Sequence, residues 1–241
     1  MTPYVHVDTS LEGCGTGDRI PLSDDEDHHL TTVLRLRRGA PLEVADGAGR
    51  CAAAELDVGM VRLVGDVTLD RRPPPRLAVA QALPKARKLD EVVRQVTELG
   101  ADAVIPVAAE RSVSRLGDGR DQRAVTRWRA VARSAAEQSR QPYRPTIHPV
   151  TTVGDLDAVE PTGLLLVAHP GAPPLPGLFG ACRDADGVII AVGPEGGWTD
   201  AEVDHLIGAG ACAVGLGPTV LRTEHAAAAA MAVLGAGVGR W

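Results

Sequence analysis

Hydrophobic positions in the first seventy residues fall in short stretches, YVHV, PLEV, CAAAEL and MVRLVGDVTL, separated by turn-forming runs such as ADGAGR. This spacing predicts the strands of a small β domain. One helix is expected among them: Ser23 followed by Glu26 makes a capping box, and Leu30, Val33 and Leu34 supply an apolar stripe that Gly39 ends. The run from Arg71 to Arg76, with PPP inside it, fits neither period and reads as a linker. It divides the chain into residues 1–72 and 73–241.

Beyond the linker the period changes. RLAVAQAL predicts a buried strand, and KARKLDEVVRQVTELG a helix, because Leu89, Val92, Val93, Val96 and Leu99 recur at helical spacing before Gly100 stops it. VIPV is a second strand. A helix over about 121–139 carries Val125, Trp128, Val131, Ala132 and Ala135 on one side. LLLVAHP, GVIIAVGP and CAVGLG are further strands; TDAEVDHLIGAG and TEHAAAAAMAVLGAG are helices. Alternating strands and helices predict an α/β domain with a mainly parallel sheet covered by helices on both faces.

Charge adds a feature that the total conceals. The net charge of the 241 residues is -6, yet residues 1–70 hold 6 Arg against 13 acids, residues 71–150 hold 16 Lys and Arg against 8 acids, and residues 151–241 hold 3 Arg against 10 acids. A basic middle between acidic ends is the pattern of a local polyanion site or of arginine-rich solvated helix faces. The 4 cysteines, Cys14, Cys51, Cys182 and Cys212, have no metal-ligand spacing, so neither zinc nor disulfides are expected. There is no apolar run of ~18 residues and no signal-peptide order at the N-terminus. A cytoplasmic location without a membrane is the expectation.

The candidate chemistry lies in AVGPEGGWTDAE. Thr199 and Glu202 form a capping box, which places Gly193, Glu195, Gly196 and Gly197 in a loop between a strand and a helix. That is the carboxyl end of a parallel strand, where open α/β sheets bind ligands. The spacing matches neither GxxxxGK[ST] nor GxGxxG, and Glu195 would repel a phosphate. A tight connection with a solvated glutamate is the plain alternative. LGPTVLRTEHA supplies a second glycine loop with Arg222 and Glu224 at a helix start, and LLLVAHP a third rim. The two glycine loops are able to enclose one ligand from both sides, with LLLVAHP as the third rim.

GPEGG, followed by LGPTVLRTE and preceded by LLLVAHP, resembles the RsmE family of bacterial 16S ribosomal RNA uridine-N3 methyltransferases, within the SPOUT class. HHLTTVLRLRRG resembles the family's N-terminal helix, KARKLDEVVRQVTELGADAVIPVAAERS its central segment and RWRAVARSAAEQS its basic helix. The resemblance implies a PUA-like RNA-binding β-barrel at 1–72 and a SPOUT methyltransferase domain with a deep trefoil knot at 73–241. It implies a homodimer, to which the small-residue stretch Ala226–Ala232 would contribute. Carried over by motif, S-adenosylmethionine would be held by Ala168, His169, Gly193, Glu195, Gly196, Gly197, Leu216, Gly217, Leu221 and Arg222.

The implied reaction moves a methyl group from S-adenosylmethionine to N3 of a uridine in 16S rRNA of the small ribosomal subunit, without a metal. Arg222 is the candidate for stabilising charge on the uracil oxygens, and Glu195 for orienting the loop or meeting the positive end of the donor. Lys85, Arg87, Lys88, Arg111, Arg115, Arg140 and Arg144 are the candidate rRNA contacts. Aromatic residues make up 2% of the chain, so base stacking is not the main mode of binding; Trp198 is either a cofactor-loop contact or packing beneath the helix cap. Departures from the family pattern are the arginine missing from MTPYVHV, and Gln95, Gln141, Thr219 and His225. His225 is read as a solvent- or partner-facing residue or a proton acceptor, and His28 and His29 as a solvated helix end. Ribose 2'-hydroxyl methylation and a non-catalytic rRNA-binding assembly factor are the competing readings.

Overall fold

The computed structural model describes residues 2–112, 120–159 and 163–241. It divides into two compact units, Met1–Arg72 with Ala136–Arg144, and Pro73–Ala135 with Pro145–Trp241. The first contains β1 (Tyr4–His6), β2 (Arg19–Pro21), α1 (Asp24–His28), β3 (Pro41–Ala45), β4 (Arg50–Asp57), β5 (Met60–Leu63) and β6 (Thr68–Leu69). The strands run β1-β3-β4-β5-β2, with β6 on β4; β1 and β3 are parallel and the other pairs antiparallel. Val5, Val7, Leu42, Val44, Val61 and Leu63 close on Leu11, Leu30 and Leu56 as one core.

The capping box at Ser23 forms as its sequence predicts, with Glu26 returning to the Ser23 N–H. The apolar stripe does not continue as expected. After His28 the helix widens into a π-turn over His29–Val33, with the Leu34 N–H on the His29 carbonyl. The extra residue in that turn rotates the end of the stripe away from the core. Leu30 is buried, whereas Val33 and Leu34 are 59% and 40% exposed.

Residues 136–144 join this unit, an excursion that one boundary at the proline-rich linker does not contain. The His6 N–H donates to Glu137, His6 Nε2 donates to the Gln141 carbonyl, and Arg140 and Arg144 pair with Glu43 and Asp8 at 2.6 and 2.9 Å.

The second unit contains β7 (Arg76–Ala82), α2 (Lys88–Glu98), β8 (Ala103–Ala108), α3 (Arg120–Gln138, whose last turn belongs to the first unit), β9 (Thr146–Ile147) and β10 (Thr151–Thr152). It continues with α4 (Leu156–Val159), β11 (Gly163–Ala168), α5 (Phe179–Asp184), β12 (Gly187–Val192), α6 (Asp200–Gly208), β13 (Cys212–Val214) and α7 (Thr223–Gly237). The strand order is β10-β8-β7-β12-β11-β13 with β9 on β8, and all pairs are parallel.

Period-2 alternation distributes each strand between two cores. Leu77, Val79, Val188 and Ile190 meet α2, α3, α5 and α7 on one face. Ala78, Ala80, Ile189 and Ala191 meet α4, α6 and Trp198 on the other. The expected parallel sheet with helices on both faces is therefore present. Leu89, Val92, Val93 and Val96 are all buried, as the spacing in α2 requires. In α7, Ala226, Ala227 and Ala230 are buried in the chain's own core, so the inner face of this small-residue helix is already occupied.

Near the C-terminus, Arg240 donates to both oxygens of Asp102, at 2.5 and 3.5 Å, and to the Pro75 carbonyl; the Arg240 side chain is 6% exposed. Removing one member of such a pair leaves the other charge buried. Arg240→Ala is expected to cost about 3 kcal/mol of unfolding free energy in urea denaturation; a loss within error of zero would show that the pair does not hold the end of the chain.

Candidate functional site

Parallel pairing of β11, β12 and β13 brings their carboxyl ends to one edge of the sheet. Three loops leave from it. After β11 comes Ala168-His169-Pro170, fixed by the His169 N–H on the Val214 carbonyl at 3.0 Å. After β12 comes the glycine corner, ended by Thr199, whose hydroxyl accepts from the Glu202 N–H while Glu202 returns to the Thr199 N–H. After β13 comes the loop to Arg222, which is the N-cap of α7. The first and third loops approach backbone to backbone: the Gly215 N–H donates to the Pro173 carbonyl, and a Cβ on Gly215 would stand 2.5 Å from the Ala172 carbonyl oxygen. Only glycine permits that contact.

The loops enclose a cavity of about 790 Å³, within the size range of small-molecule sites. Every position proposed for the cofactor lines it: Ala168 and His169 from the first loop; Gly193, Glu195, Gly196 and Gly197 from the second; Leu216, Gly217, Leu221 and Arg222 from the third. Arg222 and His169 are exposed. Trp198 is 6% exposed and packs into the core shared with α6, with its ring against Gly193, and it also lines the cavity, so it supports the loop and forms part of the wall.

Two residues that sequence reasoning passed over hold the loops together. Thr223 Oγ1 donates to the Gly193 carbonyl at 2.6 Å, which ties the start of α7 to the glycine corner. Fully buried Gln81, at the end of β7, donates through Nε2 to Thr223 Oγ1 at 2.8 Å and to the Ala82 carbonyl at 3.0 Å. Gln81 is the one uncharged polar residue in RLAVAQAL, and an isolated amide in a buried strand is a legible signal.

Charge is arranged around the same corner. Lys88 Nζ lies 3.2 Å from Glu195 and 3.3 Å from Glu224, and Glu195 also accepts the Lys85 N–H at 3.1 Å. Burial pushes the Glu195 carboxyl upward, but hydrogen bonds from its own N–H, the Lys85 N–H and the Lys88 ammonium outweigh it and hold the group below its ordinary value. Glu224 is lowered by the hydrogen bond from its own N–H and then, against some burial, by Lys88. Lys88 is raised, chiefly by its hydrogen bond to Glu195. Arg111 Nη1 donates to the Gly196 and Trp198 carbonyls at 3.0 and 3.2 Å.

The seven cations expected at rRNA therefore have different surroundings. The side chains of Lys85 and Arg87 are exposed ahead of α2. Lys88 and Arg111 grip the glycine corner; Arg140 and Arg144 are paired inside the first unit, with Arg140 also over the Tyr4 ring. Arg115 lies outside the described residues. His225 is exposed on the first turn of α7, His28 is exposed and His29 half-buried. Among the described residues no group of three or more His, Cys, Asp or Glu is placed to hold a metal.

Comparison with known proteins gives the same direction. Residues 71–235 match the family model for an RNA methyltransferase domain. A ribosomal RNA small subunit methyltransferase E from Mycobacterium bovis is 37% identical over 98% of this chain and 92% of that protein. One from Bacillus subtilis is 30% identical over 85% of each. A Neisseria gonorrhoeae protein of the same name, solved bound to S-adenosyl methionine, superimposes with a TM-score of 0.85 at 28% identity over 98% of both chains.

The charged cluster makes a pH prediction. Two carboxyls held below their free value of 4.5 contribute stability that is complete above that pH and lost as pH falls through their folded values; a lysine held above 10.5 contributes below that pH and loses it as pH rises. The stability difference between wild type and Lys88→Met should stay level from about pH 5 to 9, shrink below about 4.5 as the carboxyls protonate, and shrink again above about 10.5 as the lysine loses its charge. Urea denaturation across pH reads this, and a difference already shrinking near neutrality would contradict it.

Proposed function

The chain belongs to the RsmE family of ribosomal RNA small subunit methyltransferases, and from that premise we propose that it methylates N3 of a uridine in 16S rRNA with S-adenosylmethionine as donor. The observation that carries this reading is the convergence of all ten cofactor positions on one cavity at the carboxyl edge of the sheet. The residues present fit such a group. Main-chain donors and acceptors are laid bare by Gly193, Gly196, Gly197 and Gly217, the last two at φ +70 and +141. On the wall Glu195 and Glu224 are engaged by Lys88, which leaves Asp200 as the wall carboxylate outside that pairing. When bound, the donor supplies an electrophilic methyl group on a positive sulfur.

The chain's own residues supply the rest. N3 of uracil carries a proton, and its loss puts negative charge on the flanking oxygens. Arg222, exposed at the cavity rim and charged at any working pH, is the group that stabilises that charge. Glu195 has a positioning task, since its carboxylate is engaged by Lys85 and Lys88. Lys85 and Arg87 meet the rRNA backbone. The uridine must leave its stack to enter, at a cost of a few kcal/mol or less in a loop.

The finer architecture belongs to the same proposal. The first unit is read as a PUA-like barrel, supported by its single core inside a six-stranded sheet. The second is read as knotted, supported by β13 returning beside β11 after β12 has formed and by α7 then packing on α2 and β7. A homodimer would use the outer face of α7, where Ala228, Ala229 and Ala232 are half-buried and Val233 is exposed. No helix among the described residues is long and apolar enough to cross a membrane; the proposed substrate places the protein beside cytoplasmic ribosomes.

Purified protein with methyl-labelled S-adenosylmethionine and under-methylated small subunits is expected to label the rRNA, and nucleoside mass spectrometry to find base-methylated uridine. Arg222→Ala should lower turnover about 100-fold. Unlabelled rRNA, or a ribose-methylated nucleoside, would defeat the proposal.

A further inference from the structure

Two of the seven cations read as rRNA contacts point inward to the glycine corner instead. We infer that Lys88 and Arg111 form a cationic brace that shapes the donor loop, and that they are positioning residues for the methyl donor and not phosphate ligands. The inference rests on the reading of the cavity as the donor site.

The geometry is two-sided. Lys88, on the first turn of α2, engages Glu195 in the corner and both oxygens of Glu224 on α7, each at 3.3 Å. It therefore joins the second loop to the first turn of α7 through one ammonium. Arg111 follows β8 and reaches the corner from that strand: its stem lies against Gly196, where a Cβ would be 3.4 Å from Arg111 Cβ, and Nη1 takes the carbonyls of Gly196 and Trp198 together. Between these two grips lie Glu195, Gly196 and Gly197, a segment with two glycines and little side-chain packing of its own. Such a segment loses much conformational entropy on ordering. Two charge-assisted grips offset that loss before a ligand arrives, so affinity is gained through pre-organisation.

A phosphate ligand and a brace make opposite demands. A phosphate ligand must leave its carboxylates to reach the nucleic acid, and its removal weakens RNA binding and flattens the salt dependence by about 1 in log-log slope. A brace acts on the donor alone. The full chain would be titrated calorimetrically with S-adenosylhomocysteine, and rRNA binding followed against salt, for wild type, Lys88→Met, Arg111→Met, Lys88→Arg, Glu195→Gln/Glu224→Gln and that double variant with Lys88→Met.

Lys88→Met and Arg111→Met are each expected to weaken S-adenosylhomocysteine about tenfold and raise KM for the donor, with kcat within about threefold and the salt slope for rRNA unchanged. Lys88→Arg should restore most of the affinity, which a misfolded variant would not allow. Lys88→Met should add nothing in the background lacking both carboxylates. If both methionine variants bind S-adenosylhomocysteine within twofold of wild type, or if each flattens the salt slope by about 1, the brace is wrong. A wild type that does not bind S-adenosylhomocysteine would instead defeat the methyl-donor reading itself.

Discussion

The hydrogen-bond relay from the Gln81 amide through the Thr223 hydroxyl to the Gly193 carbonyl is the constraint on which the cavity depends. Its three members come from β7, the start of α7 and the loop after β12, which are distant in sequence and meet only because β12 pairs with β7 in the sheet. Gln81 is fully buried and Thr223 nearly so, and in that low-dielectric setting each bond polarises the next. Without the relay the second and third loops would be two independent glycine turns. With it they become opposite walls of one site.

The chemistry of the corner depends on this tie. A main chain that must come close to its neighbours and to a ligand has no room for side chains, which is why glycines occupy it. Such a segment has little packing to keep its shape, and charge supplies what packing does not. Glu195 anchors the corner to the start of α2, Glu224 anchors α7 to the same ammonium, and Arg111 takes the carbonyls on the far side. Glu195 therefore repels a phosphate and recruits the lysine that fixes the loop.

Much of this fold was legible because each element obeyed one local rule. The α2 apolar spacing, the two capping boxes and the strands β7, β8, β11, β12 and β13 reported on short-range geometry and stand where their residues predict, whereas the short β2, β9 and β10 carry no apolar run that marks them and MVRLVGDVTL divides into β5 and β6. The misses share a cause. The π-turn at His29–Val33 adds one residue to a helical turn, and nothing in the apolar pattern signals where the hydrogen bonding will widen. The return of residues 136–144 to the first unit depends on contacts with His6, Asp8 and Glu43, more than ninety positions away. The candidate cofactor positions were proposed from their resemblance to a family motif; the isolated amide of Gln81 was there to be read in RLAVAQAL, but its tie to Thr223 and Gly193 was visible only once the sheet order was known.

The basic middle of the chain shows why a charge count is not a surface. Residues 71–150 hold 16 Lys and Arg, but Arg127 is bound to Asp90, Arg94 to Glu91, Arg129 to the Ile147 carbonyl, Arg140 to Glu43 and Arg144 to Asp8. Cations engaged in this way organise the fold; where the partner is a carboxylate, as for Arg127, Arg94, Arg140 and Arg144, it offsets much of their field, which a neutral carbonyl does not do for Arg129. The exposed Lys85 and Arg87 are different, because they precede α2 within three residues of Lys88, which itself lines the cavity. A protein of net charge -6 is thus able to attract a polyanion at one place and resist it elsewhere. Local charge of this kind limits non-specific binding while keeping a positive approach beside the cavity proposed to hold the methyl donor.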